Sequence, residues 1–114
     1  MTIEDLRAYG ADVNEGVARC MNNEAFYLRL VGMLAADTHD SALKEAIAAG
    51  DLQAAFEAAH ALKGALANLA LKPALAAVEA ILEPLRAKED RDDYPSLAQA
   101  VSDEMTNLKA LISR

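Results

Sequence analysis

Cysteine is almost absent. One residue, Cys20, stands in a chain of 114, so no internal disulfide is possible, which fits a reducing compartment. The spacing Val13, Val17, Cys20 reads it as a small core residue and not as a reactive thiol. Tryptophan is missing and aromatics make up only 4%. The hydrophobic 54% is dominated by alanine. Alanine, leucine and glutamate favour helix, and no run reads as a β-strand. Basic residues are outnumbered, 11 against 18 acidic ones, for a net charge of −7. That argues against nucleic acid, which binds basic surfaces, and against anionic membranes. No apolar segment approaches the length of a membrane span. The start has no basic region followed by an apolar run, so no signal peptide is expected and the expected location is the cytoplasm. There is no glycine-rich phosphate cradle, Walker-type motif or kinase signature. The chain is therefore not expected to bind ATP or to phosphorylate itself. No internal repeat and no low-complexity segment occurs, and residues 1–114 read as one domain with a core of modest size.

What is present is a succession of helix signals. Thr2 reads as an N-cap and Asp5 as half of a capping box, its carboxylate being shorter than the usual glutamate. A short helix runs to Tyr9 and stops at Gly10. Asp12 caps a second short helix. Asn22 and Asn23 open a third, in which Phe26, Tyr27, Leu30, Val31 and Leu34 recur at helical spacing, with Gly32 as a packing glycine. Asp37-Thr38-His39-Asp40 is a turn, and Asp40 or Ser41 caps a lead-in helix to Ala49 with Leu43, Ala46 and Ile47 inward. His39 reads as a solvated loop histidine, because a metal site needs more ligands at fixed spacing. After Asp51 the pattern is helical to Leu69. Pro73 suits the first turn of the next helix. Its seam is Leu71, Leu75, Val78, Leu82 and Leu85, and Pro84 predicts a bend or an early end near Ile81. Lys88 to Asp93 is a charged loop. Pro95 opens a last helix with the seam Leu97, Val101, Met105, Leu108 and Ile112. The fold class is all-α: an antiparallel four-helix bundle behind two short N-terminal helices, with the Ser41–Ala49 helix as a lead-in.

The chemistry concentrates in Ala58-Ala59-His60-Ala61-Leu62-Lys63-Gly64. At about 100° per residue, Leu52, Phe56, Ala59, Leu62, Leu66 and Leu69 share one face, which must be the core face. His60 falls well off it. Lys63 and Gly64 follow one turn later on the same side as His60. A helix-interior glycine costs about 1 kcal/mol relative to alanine, and this chain uses alanine freely. Something gains from the missing side chain at 64: either a partner approaches His60 closely, or a neighbouring helix packs there.

The pattern His60-x-Leu62-Lys63-Gly64, with Asn68 and Leu69 behind it, resembles the histidine-containing phosphotransfer (HPt) domain of bacterial phosphorelays. The Gly50-Asp51 lead-in is typical of its small, free-standing members. The opening Met-Thr-Ile-Glu-Asp-Leu, the helix near Phe26 and the overall length extend the likeness over most of the chain. Two positions depart from the family. Ala70 stands where most members have glycine, and Leu66 is larger than usual. The resemblance implies that His60 accepts a phosphoryl group, that Lys63 offsets charge on the transferring oxygens, and that Gly64 gives the partner access. It implies response-regulator receiver domains and a hybrid histidine kinase as partners, a magnesium ion supplied by the receiver, no cofactor or metal of its own, and a monomer. An unperturbed histidine titrates near 6.5, so at pH 7 its imidazole is mostly neutral and nucleophilic. The docking surface is expected around His60 and on the helix Asn23 to Ala36, with Tyr27 and Met33 as candidates. The alternative is a non-phosphorylated binding module of the same fold that sequesters receivers. Ala70 leans that way, and the intact His60, Lys63 and Gly64 lean against it.

Overall fold

A computed structural model describes residues 1–114. Seven α-helices follow in order: α1 Ile3–Tyr9, α2 Val13–Arg19, α3 Glu24–Met33, α4 His39–Ala48, α5 Leu52–Asn68, α6 Lys72–Arg86 and α7 Tyr94–Ile112, with one 3-10 turn at Leu34–Ala36. Helices α4 to α7 form a four-helix bundle in which α4 packs on α5, α5 on α6, α6 on α7 and α7 back on α4. Short connections make neighbours antiparallel. The lead-in helix of the sequence reading is thus a full member of the bundle, and the helix near Phe26 is not. Leu43 and Ala46 are enough to bury α4, because the face of α5 that they meet is largely alanine.

The bundle seams follow the sequence closely. Leu71, Leu75, Val78, Leu82 and Leu85 are all buried. Val101, Met105 and Leu108 are buried on α7, joined by Tyr94, Ala98 and Leu111. Pro84 does not end α6. The helix continues to Arg86 with the proline ring itself buried. Only Leu85 and Arg86 follow it in the helix, so the lost hydrogen bond falls near the end of the ladder.

The caps carry two corrections. Asp5 does complete the capping box: it accepts the Thr2 N–H at 2.9 Å while Thr2 accepts the Asp5 N–H at 3.1 Å. That bond also holds the Asp5 carboxyl below the usual range. Asp40 is not a cap. It is buried, 3.6 Å from Lys109 on α7, and Lys109 also donates to the Asp37 carbonyl at 2.6 Å. A buried carboxylate needs such a partner. The N-cap position of α4 is Thr38, which makes no side-chain cap bond; the preceding Asp37 accepts the His39 N–H at 2.8 Å.

Helices α1 to α3 fasten onto the turn between α5 and α6. The Asp12 N–H donates to the Ala70 carbonyl at 3.0 Å. The Tyr27 hydroxyl donates to Leu69 O at 2.9 Å, Arg19 donates to Ala67 O at 3.2 Å, and the Ala74 N–H donates to the Tyr9 hydroxyl at 3.2 Å. Gly16 is the glycine that packing requires. A Cβ there would stand 2.8 Å from Leu69 O and overlap the Tyr27 ring. Gly32, by contrast, has open space around it and is not a packing glycine. Within α3 the inward aromatic is Tyr27, while Phe26 is exposed.

Two consequences are measurable. Gly16→Ala is expected to cost about 2 kcal/mol, as forced overpacking does, and to lower Tm by about 10 °C in thermal unfolding. Burial pushes the phenols of Tyr9 and Tyr27 up to about 12 from an ordinary value of 10. Between those values the unfolded chain releases protons that the folded chain keeps, so stability falls as pH rises. Melting followed against pH is expected to show Tm falling from pH 10 upward, and the fall should be shallower in Tyr27→Phe.

Candidate functional site

Helix α5 starts at Asp51, whose side chain accepts the Ala54 N–H at 3.0 Å. Its buried stripe is Ala55, Ala58, Ala59, Leu62 and Leu66. The opposite stripe, Gln53, Glu57, His60, Gly64 and Asn68, is exposed along its whole length. Steps of four, three, four and four keep these five on one side of the helix. His60 therefore stands in mid-helix, on the face turned away from the bundle.

Its surroundings are sparse. Neither ring nitrogen of His60 has a hydrogen-bond partner within the chain. No carboxylate or amide of a neighbouring helix orients the ring. What touches it is Phe56, one turn earlier. The two ring centroids lie 5.7 Å apart with an interplanar angle of 21°. Phe56 is half-buried and not a full core residue, and Leu52 is 39% exposed. Periodicity placed both on the core face, but they lie at its margin, beside Leu85, Arg86 and Lys88. The Arg86 guanidinium carbon sits 5.8 Å from the Phe56 ring centre. The spacing of Phe56 to His60 was visible in the sequence, yet the same spacing serves a core stripe.

Lys63 is half-buried at its base and makes no ion pair or hydrogen bond, so its ammonium is uncommitted. At Gly64 an added Cβ would meet nothing within 4 Å. No neighbouring helix therefore demands that glycine. Beyond Gly64, Met33 is 65% exposed and lines a shallow groove with Leu30, Ala65 and Asn68. Met33 thus lies beside the His60 face as expected. Tyr27 does not, being wholly buried.

The Ala70 departure leaves the end of α5 intact. Ala70 takes the left-handed conformation at φ 55°. Its N–H bonds to Ala67 O at 3.1 Å and the Leu71 N–H to Leu66 O at 3.0 Å. This is the pairing that a glycine would give at C′, at a cost of about 1 kcal/mol for the Cβ.

His39 is the first residue of α4, with Nδ1 3.0 Å from Asp37 Oδ1. No group of three or more His, Cys, Asp or Glu side chains converges anywhere in the chain. Cys20 is buried. No helix is long and apolar enough to cross a membrane.

Gly64→Ala is expected to raise stability by about 1 kcal/mol, since it removes a helix-interior glycine and the new methyl meets nothing. Urea unfolding checks this; a loss of stability would mean that packing required the glycine after all.

No curated protein and no solved structure matches the chain. Residues 33–111 match the Hpt domain. The match begins at the last residue of α3 and takes in the whole bundle except the last residue of α7. The chain belongs to the Hpt domain family, whose members carry out histidine phosphotransfer in two-component relays.

Proposed function

We propose that this chain is a phosphoryl carrier and that His60 is its phosphoacceptor. The observation that carries the reading is the state of His60: exposed, with both ring nitrogens free, next to a glycine that no internal packing needs. A lone pair of the neutral imidazole attacks the phosphorus of an aspartyl phosphate on a receiver domain. An N–P bond forms as the P–O bond to the aspartate breaks, and the carboxylate leaves with the electron pair. The reverse step delivers the group to a second receiver. Lys63, one turn away and unpaired, offsets negative charge on the phosphoryl oxygens as they move. Gly64 lets the receiver close over the imidazole.

The remaining machinery belongs to the partners. The receiver supplies the magnesium ion, and a hybrid histidine kinase supplies the phosphoryl group at the head of the relay. The carrier itself needs neither an ATP site nor a cofactor, acts in the cytoplasm, and works as a monomer. Met33 and the shallow groove beside Gly64 give a receiver an apolar foothold next to the nucleophile. The competing reading, a binding module that sequesters receivers without being phosphorylated, drew on Ala70. That support weakens, because α5 closes with its full set of terminal hydrogen bonds.

The test is transfer of label from a phosphorylated receiver. Wild type is expected to take up label that is lost in acid and kept in base, as a phosphohistidine is. His60→Gln is expected to take up none and to melt within about 1 °C of wild type, an exposed side chain without hydrogen-bond partners contributing little to stability. Gly64→Gln should keep the fold and slow the transfer. Tight receiver binding without label on the wild type would instead establish the sequestering module.

A further inference from the structure

We propose that Phe56 is the positioning residue for His60, a role that rests on His60 being the phosphoacceptor. An exposed imidazole on a helix has two open χ1 wells and a broad χ2. In-line attack needs one orientation. In this chain no hydrogen bond selects it. The one directional contact on the ring is the Phe56 stack, at 5.7 Å and 21°. Phe56 is itself constrained. It is half-buried between Leu52 and Leu85 at the edge of the bundle, and Arg86 of α6 lies over its ring. The order of α6 is thus passed through one aromatic side chain to the nucleophile on α5.

The chemistry favours a stack over a hydrogen bond at this position. A hydrogen bond would occupy one ring nitrogen and fix which nitrogen carries the proton. A stack holds the ring by its face and leaves both nitrogens at the free edge. It also suits the product. Once an imidazole nitrogen carries the phosphoryl group and the other keeps its proton, the ring is cationic, and an aromatic face attracts a cation. An aliphatic side chain at 56 would line the groove beside Leu52 and Leu85 equally well, so covering the edge of the core does not account for a planar ring there.

The test compares Phe56→Leu and Phe56→Tyr with wild type by two readouts. The first is independent of activity. The chain has two histidines, so His60→Gln assigns the His60 imidazole resonances in the proton NMR spectrum. Those resonances are expected to carry an upfield ring-current shift in wild type and in Phe56→Tyr, and to lose it in Phe56→Leu. The second is transfer from phosphorylated receiver. Phe56→Leu is expected to lower the rate constant at saturating receiver by about tenfold, the order that misorientation costs. The half-saturating concentration should stay within about twofold, and Phe56→Tyr should restore the rate. An absent ring-current shift in wild type would overturn the proposal, as would an unchanged rate in Phe56→Leu. A change confined to the half-saturating concentration would make Phe56 a docking residue and overturn it too. Failure of wild type to accept label from any receiver is a different result, which overturns the proposed function and the positioning role with it.

Discussion

The carbonyl groups at the C-terminal end of α5 hold this molecule together. A helix end leaves carbonyls without partners inside the helix. Here Ala67, Leu69 and Ala70 offer theirs to Arg19, Tyr27 and the Asp12 backbone. One helix end thus gathers in the second and third helices and the link between the first two. The close approach has its own requirement. Gly16 must lack a side chain, because the Leu69 carbonyl and the Tyr27 ring occupy the space. It also explains why an alanine is held at a positive φ. Ala70 is fully buried, and in that conformation its carbonyl accepts the Asp12 N–H. A strain of about 1 kcal/mol is offset by hydrogen bonds that would otherwise be left unmade inside the protein.

Fixing one end of α5 fixes the register of the whole helix, and so the face on which His60 stands. The helix divides its surface sharply. Its inner stripe is alanine with two leucines, which lets α4 and α6 come close. Its outer stripe makes no hydrogen bond or ion pair to another helix, Gly64 meets nothing, and the His60 nitrogens are free. The stability of the bundle and the chemistry of the face therefore do not compete for the same residues. That separation is what makes an exposed, unpartnered histidine compatible with a core of this modest size.

Most of the α5 reading was legible in sequence because its signals are local. Asp51 caps, alanine and leucine recur at helical period, and His60, Lys63 and Gly64 lie off the core stripe. What was not legible depends on depth or on distant partners. Periodicity gives an angle around a helix, but it does not say how far the neighbouring helix reaches. Leu52 and Phe56 share the core angle and still end up at the margin. Gly16 and Gly32 look alike as helix glycines, and only the position of Tyr27 makes one of them necessary. Of the adjacent aromatics Phe26 and Tyr27, the one turned inward is the one whose hydroxyl meets Leu69 O. Asp40 reads as a cap until Lys109, far along the chain, is seen beside it. Helix α4 read as a lead-in because its own apolar stripe is thin, and it joins the bundle because α5 offers alanines to it.

The two sides of His60 offer different things. Toward Gly64 and Met33 there is no side chain in contact with the missing Cβ, and the groove there is apolar. Toward Phe56 there is an aromatic contact, and Arg86 ties that aromatic to α6. On the role proposed for His60, its ring must be reachable without being loose. Reachability requires taking away side chains and hydrogen bonds near the ring, and each removal frees the ring to turn. A stack from below answers that conflict, because it restrains the imidazole from the one side no partner needs. The chain carries a net charge of −7, yet Lys63 follows His60 by one turn and Arg86 lies over Phe56. On the proposed role for His60, the unpaired Lys63 ammonium is the positive charge this chain itself would bring to a phosphoryl group there.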